Sequence, residues 1–217
     1  NIIWNNFKFN QKKNKSPNMK KKILITTGGS GGHVLPAITI YDHLKVEYDV
    51  LISTDLRGHK YLDSDIYKVF VVNTPKLNKL ILLPFAIIKV FFLTLKSLFL
   101  LKREKIEILI STGGYMSLPL CLAAKVGNIK IFLLEPNMII GRANRFFLNF
   151  CEKIICYDSN IIGFPDKFQN KLKISHPLIR KKYFDMNYKV DVDRIFTIII
   201  IGGSQGAKIF DEIVHES

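Results

Sequence analysis

Three short runs of apolar, largely β-branched residues each end in a glycine-rich turn that leads into a helix-compatible stretch. The turns are Thr27-Gly28-Gly29-Ser30-Gly31-Gly32-His33, Thr112-Gly113-Gly114-Tyr115-Met116-Ser117 and Gly202-Gly203-Ser204-Gln205-Gly206-Ala207. With the other apolar runs they predict strands at 22–27, 49–54, 68–73, 107–112, 130–134, 153–157 and 196–201. Most of these runs are continuously apolar, as parallel strands covered on both faces must be. Helix-compatible stretches at about 34–45, 84–104, 118–126, 141–151 and 206–215 alternate with them. Such alternation predicts a doubly wound α/β sheet.

The chain has 217 residues, 48% of them apolar, with a mean hydropathy of +0.15. That supplies a real core and excludes a disordered chain. Three cysteines, Cys121, Cys151 and Cys156, lack the number and spacing of a disulfide framework or a metal cluster, so reduced core thiols are expected. The net charge is +14. Residues 1–18 hold four lysines and no acid, which leaves 28 basic against 18 acidic residues on the rest. That tail has no helical or strand period and reads as upstream or disordered sequence, with Met19 before Lys20-Lys21-Lys22 as the natural start. The basic body points to nucleic acid, an anionic membrane surface or a phosphorylated substrate. Nucleic acid is set aside, because no motif interleaves aromatic and basic residues.

The segment 165–194 breaks the rhythm with two prolines, many lysines and no long apolar run, and is a candidate linker. The expected organisation is an N-terminal Rossmann-like domain at 19–175, an interdomain stretch at 176–194 and the first strand and helix of a second domain at 195–217. A lone strand and helix cannot bury their own faces, so the chain is expected to be a fragment.

Glycine turns at the carboxyl ends of parallel strands let backbone N–H groups approach a ligand closely. The helix after each turn adds about half a positive charge, a setting for phosphate or pyrophosphate. Neither common template fits. A Walker A loop needs Lys where His33 stands, and a GxGxxG fingerprint counted from Gly29 needs glycine where Val34 stands. His33 falls in the first turn of its helix, where the dipole disfavours imidazolium and leaves a ring able to accept a proton, or one that only bonds the loop. His43, His59, His176 and His215 have no companions at metal-ligand spacing. The triplets Asp63-Ser64-Asp65 and Asp191-Val192-Asp193 read as solvated turns, so neither metal nor cofactor is expected.

The most apolar stretch is 80–101, LILLPFAIIKVFFLTLKSLFLL, interrupted by Lys89 and Lys96 on a seven-residue stripe that continues to Arg103. A spanning helix would bury two lysines at about 2.5–3.5 kcal/mol each near the bilayer centre. A helix lying in the interface keeps them at the phosphates and sinks Leu80, Phe85, Ile88 and Phe92 into the acyl boundary. Flanking Lys76, Lys79, Lys102 and Lys105 add attraction to anionic lipid. Peripheral membrane contact is therefore expected, alongside one face packed on the sheet.

From about residue 22 to the end the sequence resembles the MurG family of peptidoglycan glycosyltransferases, family 28 of the two-domain GT-B class. The motifs that carry the resemblance are GGSGGHVLPA at 28–37, GGYMSLP at 113–119, the EPNxxxGRANRF segment at 135–146 and GGSQGA at 202–207. The resemblance implies inverting transfer of N-acetylglucosamine from UDP-N-acetylglucosamine to the 4-hydroxyl of the N-acetylmuramoyl group of lipid I. The product is lipid II, and the work belongs to peptidoglycan synthesis at the cytoplasmic face of the bacterial inner membrane, and so to cell shape and division. It implies donor contacts from Ser30, Gly31, Gly32, Asn137, Arg180 and Ser204, with His33 as base or transition-state contact and Tyr115 beside the acceptor. Gly29, Gly113 and Gly114 would serve the acceptor diphosphate, and Asn144 would shape its cleft.

The chain departs from the family pattern at Leu134-Glu135-Pro136-Asn137, where His-Glu-Gln-Asn is usual. It departs again around Arg180, where the motif is one residue longer, and at Ser30, where threonine is common. Because most of the donor domain lies beyond residue 217, the chain alone is expected to be inactive. The competing readings are another GT-B lipid glycosyltransferase and a non-catalytic membrane-anchor subunit of a split UDP-N-acetylglucosamine transferase; GGSQGA on a second strand argues against the anchor.

Overall fold

A computed structural model describes residues 20–75 and 83–179, which belong to one compact unit. Its strands are β1 (Lys22–Thr26), β2 (Asp49–Thr54), β3 (Val69–Val71), β4 (Ile108–Ser111), β5 (Lys130–Glu135), β6 (Lys153–Cys156) and β7 (Leu172–Ile174). All neighbours pair in parallel, in the order β3-β2-β1-β4-β5-β6-β7. The helices are α1 (Gly31–Leu44), α2 (Leu56–His59), α3 (Leu83–Arg103), α4 (Leu118–Val126) and α5 (Arg142–Phe147). Turns of 3-10 helix at Tyr115–Ser117 and Asp166–Lys171 precede α4 and β7.

Side chains alternate across each strand, so continuously apolar strands need cover on both faces. Ile23 and Ile25 of β1 pack with Ile108 and Ile110 of β4 and with Ala37 and Ile40 of α1. Leu24 and Leu109 face the other way, into a layer with Leu101 of α3, Leu120 and Ala124 of α4, and Phe147 of α5. The core therefore lies on both sides of the sheet. The strand order reverses between β1 and β4, and an open α/β sheet holds ligands outside the carboxyl ends of the strands at such a reversal.

The expected doubly wound α/β class is observed, with differences at the edges of elements. Helix α1 begins three residues before the apolar period, because Gly31 and Gly32 occupy its first turn while Ser30 stays extended at φ −140° and ψ 164°. The segment read as linker from residue 165 contains the 3-10 turn and β7. This edge strand of only three residues, Leu-Lys-Ile, pairs on one side with β6, and a lysine in such an edge deters further pairing. The expected helix at 141–151 is shorter, Arg142–Phe147. The expected strand at 196–201, the helix at 206–215 and the tail at 1–18 lie outside the described residues.

Helix α3 is long and apolar enough to cross a bilayer by length and composition alone. One side of it packs into the fold. Ala86, Val90, Ser97 and Leu101 are buried on the inner side, while Phe85, Ile88, Phe92, Leu95 and Phe99 are exposed with Lys89 and Lys96.

Candidate active site

The turns after β1 and β4 meet over the reversal point. Thr112 Oγ1 donates to Thr27 Oγ1 at 2.8 Å, both buried, and the Thr112 N–H donates to the Thr26 carbonyl at 3.1 Å. His33, half-buried in the first turn of α1, places Nδ1 2.8 Å from the Thr112 carbonyl. A carbonyl only accepts, so Nδ1 carries the hydrogen, and in the neutral ring Nε2 is left as the acceptor. The backbone of the second turn makes room for that ring. Gly113 and Gly114 sit at φ +92° and +81°. A Cβ on Gly113 would stand 3.2 Å from Asn144 Nδ2 and 3.4 Å from His33 Cε1; one on Gly114 would stand 3.8 Å from His33 Nε2. Only glycine combines this conformation with this approach.

Glu135 ends β5 almost fully buried, at 2% exposure, and organises the loop after the strand. Its Oε1 accepts the Asn137 N–H at 3.2 Å and Asn137 Nδ2 at 2.8 Å. Its Oε2 accepts the Gly141 N–H at 2.8 Å and Asn144 Nδ2 at 3.0 Å, and that nitrogen also reaches the Leu134 carbonyl at 3.0 Å. One carboxylate thus folds residues 137–144 back over the strand end, and every donor it meets is matched. Sequence reasoning left Glu135 out of the site. The signal was present: an acid closing an apolar strand, with Asn137, Gly141 and Asn144 just downstream.

A second buried acid, Asp55 at the end of β2, was also missed. As the N-cap of α2 it accepts the Gly58 N–H at 2.8 Å through Oδ1. The same oxygen accepts the Gly29 N–H at 3.0 Å, while Oδ2 takes Arg57 Nε at 3.0 Å. Burial works against the charge, but the Gly29 and Gly58 N–H groups and the Arg57 guanidinium outweigh it and hold the carboxyl below its usual range.

A cavity of about 580 Å³ opens over β4 and β5, walled by His33, Tyr115, Leu118, Asn137, Arg142 and Phe146. Gly114, Glu135 and Gly141 also border it. Of the sequence candidates, His33, Tyr115, Gly114 and Asn137 come together here, and Asn144 and Gly113 stand just behind. Gly29, Ser30, Gly31 and Gly32 form the neighbouring β1–α1 turn. Leu80, Arg180 and Ser204 lie outside the described residues. The cavity is mainly apolar with a few convergent polar groups, the usual make-up of a small-ligand site.

The remaining candidates fall elsewhere. His59 Nε2 lies 3.4 Å from Ser64 Oγ, and Asp63 closes a turn by accepting the Asp65 N–H at 3.0 Å. No group of three metal-ligating side chains occurs among the described residues. The three cysteines are free and buried, and burial pushes the thiols of Cys121 and Cys156 up to about 12 and that of Cys151 to about 11.

Residues 23–156 match the glycosyltransferase family 28 N-terminal domain. The chain is 52% identical over 201 residues to the UDP-N-acetylglucosamine--N-acetylmuramyl-(pentapeptide) pyrophosphoryl-undecaprenol N-acetylglucosamine transferase of Pelagibacter ubique, covering 92% of this chain and 56% of that protein. The enzyme of the same name from Rickettsia bellii is 36% identical over 205 residues, covering 91% of this chain and 56% of the relative. The chain thus spans about half the length of the curated relatives it matches. Among solved structures, the MurG of Acinetobacter baumannii superposes with a TM-score of 0.68 at 22% identity, over 88% of this chain and 55% of that one, which is a likeness of fold. The match over residues 23–156, on a parallel sheet with its reversal at β1/β4 and a cavity bordered by His33 and the second glycine turn, makes this chain a member of glycosyltransferase family 28.

Proposed function

We propose that the chain is the acceptor-binding and membrane-facing half of an inverting transferase that moves N-acetylglucosamine from UDP-N-acetylglucosamine to the 4-hydroxyl of N-acetylmuramoyl in undecaprenyl-pyrophosphoryl-linked lipid I. The observation that carries the reading is that His33, at the end of the first glycine turn, borders the cavity together with Gly114 and Tyr115 of the second, held by the Thr112 carbonyl so that Nε2 is its free acceptor. In the transfer, Nε2 takes the proton of the attacking hydroxyl as the new bond forms at the sugar C1 and the bond to UDP breaks. Tyr115 stands beside the acceptor and Asn144 shapes the cleft. The acceptor diphosphate is met at the second turn, at Gly114, since the Gly29 N–H is held by Asp55 Oδ1 and the Gly113 N–H by Ser111 Oγ. The donor is met by Ser30, Gly31, Gly32 and Asn137, while Arg180 and Ser204 lie outside the described residues. Turned amides and helix dipoles stabilise the phosphates, and no metal or cofactor is assigned a part.

The exposed Phe85, Ile88 and Phe92, with Lys89 and Lys96 beside them, support docking of α3 in the interface of an anionic membrane at the cytoplasmic face of the inner membrane. The helix brings the cavity to a substrate that stays in the bilayer, and its buried inner face keeps it on the sheet. The test is transfer of labelled N-acetylglucosamine to a short-chain lipid I analogue by the full-length protein carrying this chain. Turnover that falls by about a hundredfold or more in His33→Ala supports the reading, since general base catalysis contributes roughly 10²–10⁴-fold. Normal turnover in that variant removes His33 from the mechanism, and absence of transfer by the parent protein refutes the activity.

A further inference from the structure

Tyr115 borders the cavity, and its hydroxyl is engaged from the β2 side. Arg57 Nη2 donates to it at 2.9 Å, and the guanidinium carbon lies 5.9 Å from the centre of its ring. Through Nε the same guanidinium donates to Asp55 Oδ2 at 3.0 Å. Asp55, 3% exposed, in turn holds the Gly29 N–H of the first glycine turn. The guanidinium also passes over that turn, with Nη2 3.4 Å from where a Cβ of Gly29 would stand. A third tether reaches the second turn from behind: Thr74 Oγ1 donates to the Met116 carbonyl at 3.2 Å. The end of β2 therefore bridges both glycine turns, and the bridge runs through one arginine.

Stability does not account for this arrangement well. The Arg57 side chain is 49% exposed, and ion pairs that half-face water contribute little, about 0–1 kcal/mol. Position does account for it. A planar guanidinium can serve a carboxylate and a phenol at once in fixed geometry, which a point-charge ammonium on a flexible stem cannot. We propose that Arg57 and Asp55 are positioning residues for the transfer reaction: they set where the Tyr115 phenol and the β1–α1 turn stand across the acceptor cavity. The inference rests on the transferase reading above.

The test is a double-mutant cycle on kcat and KM in the full-length protein, with Arg57→Ala, Arg57→Lys, Tyr115→Phe and the combined Arg57→Ala/Tyr115→Phe variant. Loss of orientation by about an ångström can cost roughly a hundredfold in rate, so each single variant is expected to lower kcat by about ten- to a hundredfold. KM for UDP-N-acetylglucosamine should stay within about twofold, because an interaction that acts only through orientation leaves ground-state binding in place. The combined variant should be no slower than the slower single, as groups acting as one unit are not additive. Arg57→Lys should melt with the parent and still lose turnover, a split that a merely structural role would not produce. Where Arg57→Ala is too unstable to purify, Arg57→Lys with and without Tyr115→Phe closes the same cycle. Multiplying losses, or parental turnover in Arg57→Lys, overturns the proposal. A parent protein that transfers no sugar defeats the transferase reading itself.

Discussion

His33 and Thr112 are 79 positions apart in sequence and 2.8 Å apart in the fold, and that one hydrogen bond decides which ring nitrogen is left free. Its neighbours are held as tightly. Gly113 sits at φ +92° with Asn144 and His33 where a Cβ would go, so Gly113→Ala should destabilise the chain by about 1–3 kcal/mol, read by urea unfolding. Glu135→Ala strands the Asn137 and Gly141 N–H groups, and loss of charged hydrogen bonds predicts about 1.5–3 kcal/mol, with faster amide exchange over 137–144 than elsewhere. Asp55 adds a pH dependence. Its carboxyl is held below the ordinary value, so its stabilising contribution is present above the unfolded pKa of about 4 and is lost as pH falls through the folded one. Stability measured from pH 6 down to pH 2 should show an acid limb that is shallower in Asp55→Asn; an identical limb in that variant would assign acid sensitivity to other groups.

Among elements, α3 separates what sequence shows from what it does not. Its apolar run and its seven-residue lysine stripe are visible in the letters, but which face packs is a property of the sheet it lies on. The structure buries Ala86, Val90, Ser97 and Leu101 and leaves the phenylalanines outside. If that face docks on anionic lipid, each lysine adds about 1 kcal/mol, so Lys89→Ala/Lys96→Ala should weaken binding to phosphatidylglycerol vesicles by about thirtyfold with unfolding unchanged. Equal partition of variant and parent in a vesicle sedimentation assay would exclude the lysines from docking. The central strands were legible because a strand covered on both faces has no polar side to interrupt its run, as in 49–54 and 130–134. The three-residue β7 was not: it is paired on one side only, and Leu172-Lys173-Ile174 is too short to form a run. Of the site, the glycine turns, His33 and Asn137 were legible as motifs. Asp55 and Arg57 were not, because they bond Gly29 and Tyr115, which only the folded turns bring near, whereas Glu135 carried a local signal in Asn137, Gly141 and Asn144 just downstream.

At the scale of the whole molecule, the two core layers make the described unit sensitive to alkali as well as acid. Cys121, Cys151 and Cys156 all belong to the layer under α3, α4 and α5, and burial raises their thiols from 9.0 to about 12, 11 and 12. For a thiol the raised form is the neutral one, so folding keeps the proton that the unfolded chain gives up. The associated stability is complete below the unfolded pKa of about 9 and is lost as pH rises from there through the folded values. Stability should therefore fall from about pH 9 upward, and Cys121→Ala should flatten that limb. The same burial makes the thiolate, the reactive species, scarce at neutral pH. Because the three sulfurs share one core layer, their labelling by a disulfide reagent at pH 7.5 should track opening of the whole layer and proceed together, with all three reacting at once in denaturant. Mass spectrometry during slow labelling distinguishes the cases: a direct passage from unlabelled to triply labelled chains means that the layer opens as one unit. Singly labelled Cys151 accumulating first would mean instead that the β6–β7 edge, which Lys171 ties to the Leu148, Asn149 and Cys151 carbonyls, opens on its own.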